Sequence, residues 1–221
     1  MKHGVLLIQL GSPASPSVKD VKSYLREFLS DPRLIPNQNI AWKFLLNAII
    51  LPTRSPKSAE AYASIHTEEG FPLIFETENF THEVDRALDG VSVKHSYVIG
   101  QGPRVVEAMK ELLDEGVTHL RVIPQFPQYC EATSFSVHDA VNKAIRELHK
   151  TPYHGQVTDL TLEWIDWFHN SPAYYETVAE MIFEGLKENP VEVLLVSNHG
   201  LPKIRAFEGD SYFYHCRETF H

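Results

Sequence analysis

A single histidine in an unusual setting draws attention first. His199 stands in the run Ser197-Asn198-His199-Gly200-Leu201-Pro202, directly after the apolar stretch Val191–Val196. A neutral imidazole can take a proton near pH 7 or ligate a metal ion. A histidine in a chain with twelve is most often a surface residue or a satisfied core residue. His199 differs in that a strand-like run precedes it and Gly200 and Pro202 follow, so the backbone is expected to hold it at the edge of a sheet. No H-E-x-x-H spacing is present, and the two cysteines, Cys130 and Cys216, make no CxxC pair. A permanent metal site or a structural zinc is therefore not indicated, nor is a disulfide framework. A G-x-S-x-G elbow and a P-loop are missing too. Gly100-Gln101-Gly102 begins a G-x-G-x-x-G pattern, but Val105 occupies the last position, so a plain strand-to-helix turn is the better reading.

These residues need elements to position them. Strand-like and helix-like segments alternate, which predicts an α/β fold with a parallel sheet flanked by helices. Val5–Leu10 reads as a buried strand ending in Gly11-Ser12-Pro13. Val91–Ile99, Leu120–Ile123 and Val157–Trp164 read as further strands, and Val191–Val196 as a last, strongly apolar one. Ser15-Pro16, Ser55-Pro56 and Ser171-Pro172 each read as a helix start, with serine as the cap and proline in the first turn. Other helices are expected over Leu73–Leu88, Pro103–Glu115 and Ser136–Leu148. The helix opened by Ser171-Pro172 should line one side with Tyr174, Val178, Met181, Ile182 and Leu186.

Ile40–Leu51 is apolar except for Lys43 and Asn47. It is shorter than the about 20 residues that span a bilayer. It reads either as a buried core helix or as a helix at a membrane surface or the lip of an apolar pocket. Residues 1–165 would form one α/β lobe containing this helix. Residues 166–221 would begin a second lobe that is incomplete, because one helix, one strand and a tail do not make a layer of comparable size.

The chain has 221 residues, 43% of them hydrophobic and 22% charged, with a net charge of −9. Its composition is that of a globular protein, and the negative balance argues against a nucleic-acid partner. The N-terminal apolar stretch is short and has no small-residue cleavage site, so no signal peptide is read and the cytoplasm is expected. In an open parallel sheet, ligands bind beyond the carboxyl ends of the strands. Gly11–Pro13, Gly100–Pro103, Gln125–Thr133 and His199 are all expected at that edge, around one cleft.

The order of the motifs resembles a known family. Gly4–Pro13 resembles the opening "LLxNLGTP" of bacterial ferrochelatases, and Tyr24–Arg33 resembles their "YLREFLSDPR". Lys57–Tyr62 followed by Glu69–Leu73 resembles "KSAEAY…EGSPL", and Pro127–Thr133 resembles "PQYSxxT". Ser197–Pro202 resembles "SFHGLP", and Gly209–Tyr212 resembles "GDPY". The matches run in the family's order along nearly the whole chain. Departures are Asn198 for the family's phenylalanine, Val98 and Ile99 for an arginine and a tyrosine, Cys130 for a serine, and Phe135 where glycine is common.

The resemblance implies a Rossmann-like, two-lobed chelatase fold with a porphyrin cleft between the lobes. It implies insertion of Fe(II) into a porphyrin in haem biosynthesis, with Fe(II) as substrate and no permanent cofactor. His199 would be the catalytic residue that meets the metal, and Ser12, Pro13, Tyr129 and Thr133 would line the porphyrin site. Residues 40–51 would form the porphyrin lip and touch a membrane peripherally, at the inner membrane. The family's sequence runs on past the position of His221, and that further part is expected to carry a glutamate facing the histidine. A second reading, a porphyrin- or haem-binding relative that has lost catalysis, stays open, as does a homodimer. A chelatase for cobalt or for a sirohydrochlorin-type ring is a third reading, which the "YLREFLSDPR" and "KSAEAY" matches oppose.

Overall fold

Val5, Leu6, Leu7 and Ile8 are all buried, so the first strand must be covered on both faces, as a central strand of a parallel sheet is. In the computed structural model, which describes residues 1–220, this strand is β1 (His3–Gln9). After it come α1 (Val18–Leu29), α2 (Ile40–Leu45), a π-helical turn over Leu46–Ile50, and α3 (Leu51–Ile65). Next are α4 (Pro72–Ala87), β2 (Ser92–Tyr97), α5 (Val105–Asp114) and β3 (His119–Pro124). A second π-helical turn over Glu131–Phe135 leads into α6 (Ser136–Leu148), α7 (His154–Thr158) and β4 (Thr161–Trp164). The described chain closes with α8 (Pro172–Glu188), α9 (Lys203–Phe207) and α10 (Tyr212–Thr219).

The sheet has the order β2-β1-β3-β4, with every pair parallel. Leu6 and Ile8 point to one side, into a core with Met109 and Leu112 of α5 and Val137 and Val141 of α6. Val5 and Leu7 point to the other side and join Val93 of β2, with Val84 of α4 against them. The α/β class read from the alternating pattern is thus the class observed.

Several boundaries differ from the sequence reading. The cap of α1 is Ser17, not Ser15: its side chain accepts the Asp20 N–H, while Ser15 Oγ holds the Asp20 carboxylate at 2.6 Å. Pro16 therefore lies ahead of the helix. Ser55-Pro56 does not open a new helix. Both lie inside α3, which continues the run begun at Ile40. The buried residues Leu46, Leu51, Ser55 and Ala59 explain this, since they are spaced five, four and four apart. The step of five is the wider π turn, which keeps one face toward the core across the junction. Val157 belongs to α7 and not to a strand, because its side chain fills the core beneath α5 and α6. Pairing with β3 begins only at Thr161.

The largest departure is at Val191–Val196, which forms no strand. Its residues are exposed, Leu195 at 87%. A strand needs a neighbouring backbone to satisfy its N–H and C=O groups, and among the described residues this stretch pairs with no other strand. The helix start at Ser171-Pro172 is as expected, but α8 has no buried residue, so its apolar side stays open.

Candidate active site

The loops at the carboxyl edge of the sheet lock together backbone to backbone. Ile99 N–H donates to Leu10 O at 3.0 Å, and Gln101 N–H donates to Ser12 O at 2.8 Å. The approach is so close that a Cβ at Gly100, where φ is +78°, would lie 2.1 Å from Ser12 O. Gly100-Gln101-Gly102 is thus a packed turn against the loop after β1. The Tyr24 hydroxyl donates to Gly11 O at 3.2 Å, and burial raises its proton affinity well above the ordinary phenol range. Ser12 and Pro13 are buried by this packing.

The loop after β3 reaches the C-terminal segment. Tyr129 N–H donates to Nδ1 of His215 at 3.1 Å, and its ring stands edge-on to Trp167. Glu131 N–H donates to Asp210 Oδ2 at 2.9 Å, and Cys130 Sγ lies 3.6 Å from the same oxygen. Burial, and then Asp210, push the Cys130 thiol up to about 11. Thr133 is half-buried, with its hydroxyl turned back to Cys130 O at 3.4 Å. Arg205 of α9 completes the attachment by donating to Arg33 O at 3.0 Å and Leu34 O at 3.2 Å and by facing Glu131 at 3.4 Å. Arg33 in turn pairs with Asp139 at 2.7 Å and covers the Phe135 ring.

Docked in this way, the segment from Val196 to Phe220 encloses a groove of about 740 Å³. His199 lines it and is exposed to it. The other walls include Leu201, Pro202, Phe207, Tyr212, Phe213 and Cys216, with Lys203, Asp210 and Arg217 as charged members. Burial pushes the pKa of the Tyr212 hydroxyl up to about 12. Tyr212 is therefore a neutral O–H at physiological pH.

The expected cleft is only partly assembled. His199 opens onto the groove, but Ser12, Pro13, Tyr129 and Thr133 do not line it. Tyr129 stands behind the groove, on the far face of α10, and Ser12 is occupied in the loop lock. His199 also does not follow a sheet strand, because Val191–Val196 is unpaired. Asp210, Tyr212, Lys203 and Arg217 were not among the expected site residues. The Gly209–Tyr212 motif was the available signal for the first two. Among the described residues no group of three or more His, Cys, Asp or Glu side chains is placed to hold a metal ion.

The family's sequence model, described as Ferrochelatase, matches residues 2–221. The chain belongs to the ferrochelatase family. The ferrochelatase of Francisella tularensis subsp. tularensis (strain WY96-3418) is 34% identical to it over 223 residues, covering 99% of this chain. The ferrochelatase of subsp. novicida (strain U112) is likewise 34% identical, and that of subsp. holarctica (strain FTNF002-00 / FTA) is 35% identical. The chain spans 64% of the length of each of these ferrochelatases. In ferrochelatase terms, the groove is built by the stretch that carries the family's histidine motif and its Gly-Asp-x-Tyr motif.

Proposed function

We propose that this chain carries the iron-insertion chemistry of a ferrochelatase, placing Fe(II) in a porphyrin for haem biosynthesis, with His199 as the residue that meets the metal. The observation that carries this reading is the exposed His199 imidazole on an apolar, aromatic-walled groove, in a chain of the ferrochelatase family. The volume falls within the about 300–1,000 Å³ of small-molecule sites. A flat porphyrin shields its pyrrole N–H groups, so a site must hold the ring bent before metal can enter. Two protons must then leave, and a neutral imidazole accepts a proton or hands over the metal near pH 7. Lys203 and Arg217 supply positive charge for the carboxylates of the porphyrin edge. Tyr129 and Thr133 act from behind the groove wall, and Ser12 and Pro13 shape the carboxyl edge of the sheet.

The same reading assigns the continuous helical run over residues 40–51 to the lip. Ile40, Phe44 and Ile49 are exposed there, while Leu46 and Leu51 anchor the helix in the core with Val21 and Leu25. That exposed face suits an apolar ligand or a membrane surface touched from one side. No described helix is long and apolar enough to cross a membrane. We place the protein in the cytoplasm, at the inner membrane's face, with no nucleic-acid partner and with a homodimer as its assembly. Fe(II) is substrate here, and no permanent cofactor is assigned.

The test is metal insertion by the purified chain, read as loss of free-porphyrin fluorescence with Zn(II) or Fe(II). Turnover above the uncatalysed rate, cut at least 100-fold by His199→Ala, is expected. A Soret shift on porphyrin binding without turnover would replace catalysis with binding alone. The absence of both turnover and a Soret shift would overturn the reading.

A further inference from the structure

Helix α10 has two working faces. Tyr212, Phe213 and Cys216 wall the groove, whereas His215, Glu218 and Thr219 turn toward the loops after β3 and β4. The attachment on this second face centres on two imidazoles. The rings of His215 and His169 are stacked, with centroids 3.9 Å apart and planes 18° from parallel. His169 Nε2 lies 2.9 Å from Glu218 Oε2, and Gln128 Nε2 donates to Thr219 Oγ1 at 3.1 Å. His169 is 1% exposed, and its Nδ1 is buried with no hydrogen-bond partner among the described residues.

These contacts define where the protons sit. A backbone N–H only donates, so His215 Nδ1 must offer a lone pair to Tyr129, which makes the docked ring the neutral Nε2–H form. A carboxylate only accepts, so His169 Nε2 carries the proton shared with Glu218. An added proton on His215 can only go to Nδ1. There it would point at the Tyr129 N–H, donor against donor, and would charge a ring stacked on another imidazole.

We propose that the stacked pair His215–His169 is a proton-sensitive latch that docks α10, and that protonation of His215 releases this wall of the His199 groove. Both are positioning residues, since neither lines the groove. The groups facing His215 are His169 from the loop after β4, Glu218 on its own helix, Asp210 from the preceding turn, and Tyr129. Burial, and then His169, lower the pKa of His215 below its ordinary 6.5, against the opposing pull of Glu218 and Asp210. The undocked ring therefore binds protons more readily than the docked one. Docking is at full strength above about pH 6.5 and weakens as the pH falls through that range.

Hydrogen exchange of the wild-type chain at pH 7.5 and 5.5, corrected for intrinsic exchange rates, tests the latch. Amides of residues 210–219 should lose protection at least tenfold at pH 5.5, while those of β1 and β3 hold theirs. His215→Asn keeps an acceptor oxygen for Tyr129 but does not titrate, and it should keep equal protection at both pH values. Unchanged wild-type protection, or parallel loss in the variant, would overturn the proposal. A check that needs no variant is ¹⁵N labelling of the histidine rings. A neutral Nε2–H His215 at pH 7.5 supports the latch, and an Nδ1–H or cationic ring overturns it. None of these readouts involves porphyrin, so the latch stands or fails separately from the function proposed above.

Discussion

The Asp210 carboxylate and the backbone N–H of Glu131, 79 positions apart in sequence, meet at 2.9 Å. The other carboxylate oxygen accepts the Tyr212 N–H at 2.9 Å, so one side chain ties the loop after β3 to the start of α10. Asp210→Ala leaves two backbone donors unpaired in a site only 8% exposed. Each buried unpaired donor costs about 1–3 kcal/mol. The expected outcome is local release of the groove segment, seen as trypsin cleavage after Arg205 and Arg217 at least tenfold faster than in wild type. Asp210→Asn retains one acceptor oxygen and should fall between the two. Equal cleavage rates for all three proteins would show that Asp210 does not fasten the segment.

Gly100 tests the lock at the sheet edge. A methyl group there meets Ser12 O at 2.1 Å and sits at a φ of +78°. A non-glycine residue in the left-handed region costs about 1–2 kcal/mol before any clash is counted. Gly100→Ala should therefore destabilise the chain by more than about 2 kcal/mol in urea unfolding. Gly90, with a similar φ of +73° but open space around it, should lose only the conformational part on the same substitution.

Tyr212 gives an alkaline signature. Burial raises its pKa from 10.0 to about 12 in the folded chain. Between those values the folded state holds a proton that the unfolded state has released, so stability falls as the pH rises through the window. Tyr212→Phe removes this dependence. Its stability should decline less steeply than that of wild type between pH 10 and 12 in denaturant titrations.

Cys130 should be a slow nucleophile. With its thiol held up at about 11 against an ordinary 9.0, the thiolate fraction at pH 8 is about 100-fold lower than for a free cysteine. Iodoacetamide should modify it far more slowly in the native chain than in urea. Asp210→Ala should speed the native reaction by removing a facing negative charge and opening the site. Native labelling at the unfolded rate would contradict the burial.

How much was legible in the sequence varied with the range of the interactions involved. Leu6 and Ile8 sit in a continuous apolar run, and burial on both sheet faces demands such a run, so β1 and the α/β class could be read directly. Helix α6 was found at its own boundaries because Val137, Val141, Ala144 and Leu148 repeat at helical spacing. Ser55-Pro56 misled because a cap signature is local, whereas the π turn that carries the helix past it serves burial against Val21 and Leu25 of α1. Val191–Val196 misled for the opposite reason: apolar and β-branched content marks strand potential, but a strand forms only against another backbone.

By itself the sequence determined the parallel α/β class and the family, because these depend on residue type, local periodicity and the order of motifs. Only the tertiary structure decided that Ser12 is committed to a backbone lock and that Tyr129 lies behind the groove. It alone shows that Asp210 and His215 fasten the wall. Those roles arise where segments tens of residues apart come within hydrogen-bonding distance, and residue spacing along a chain does not encode the direction from which a distant donor arrives.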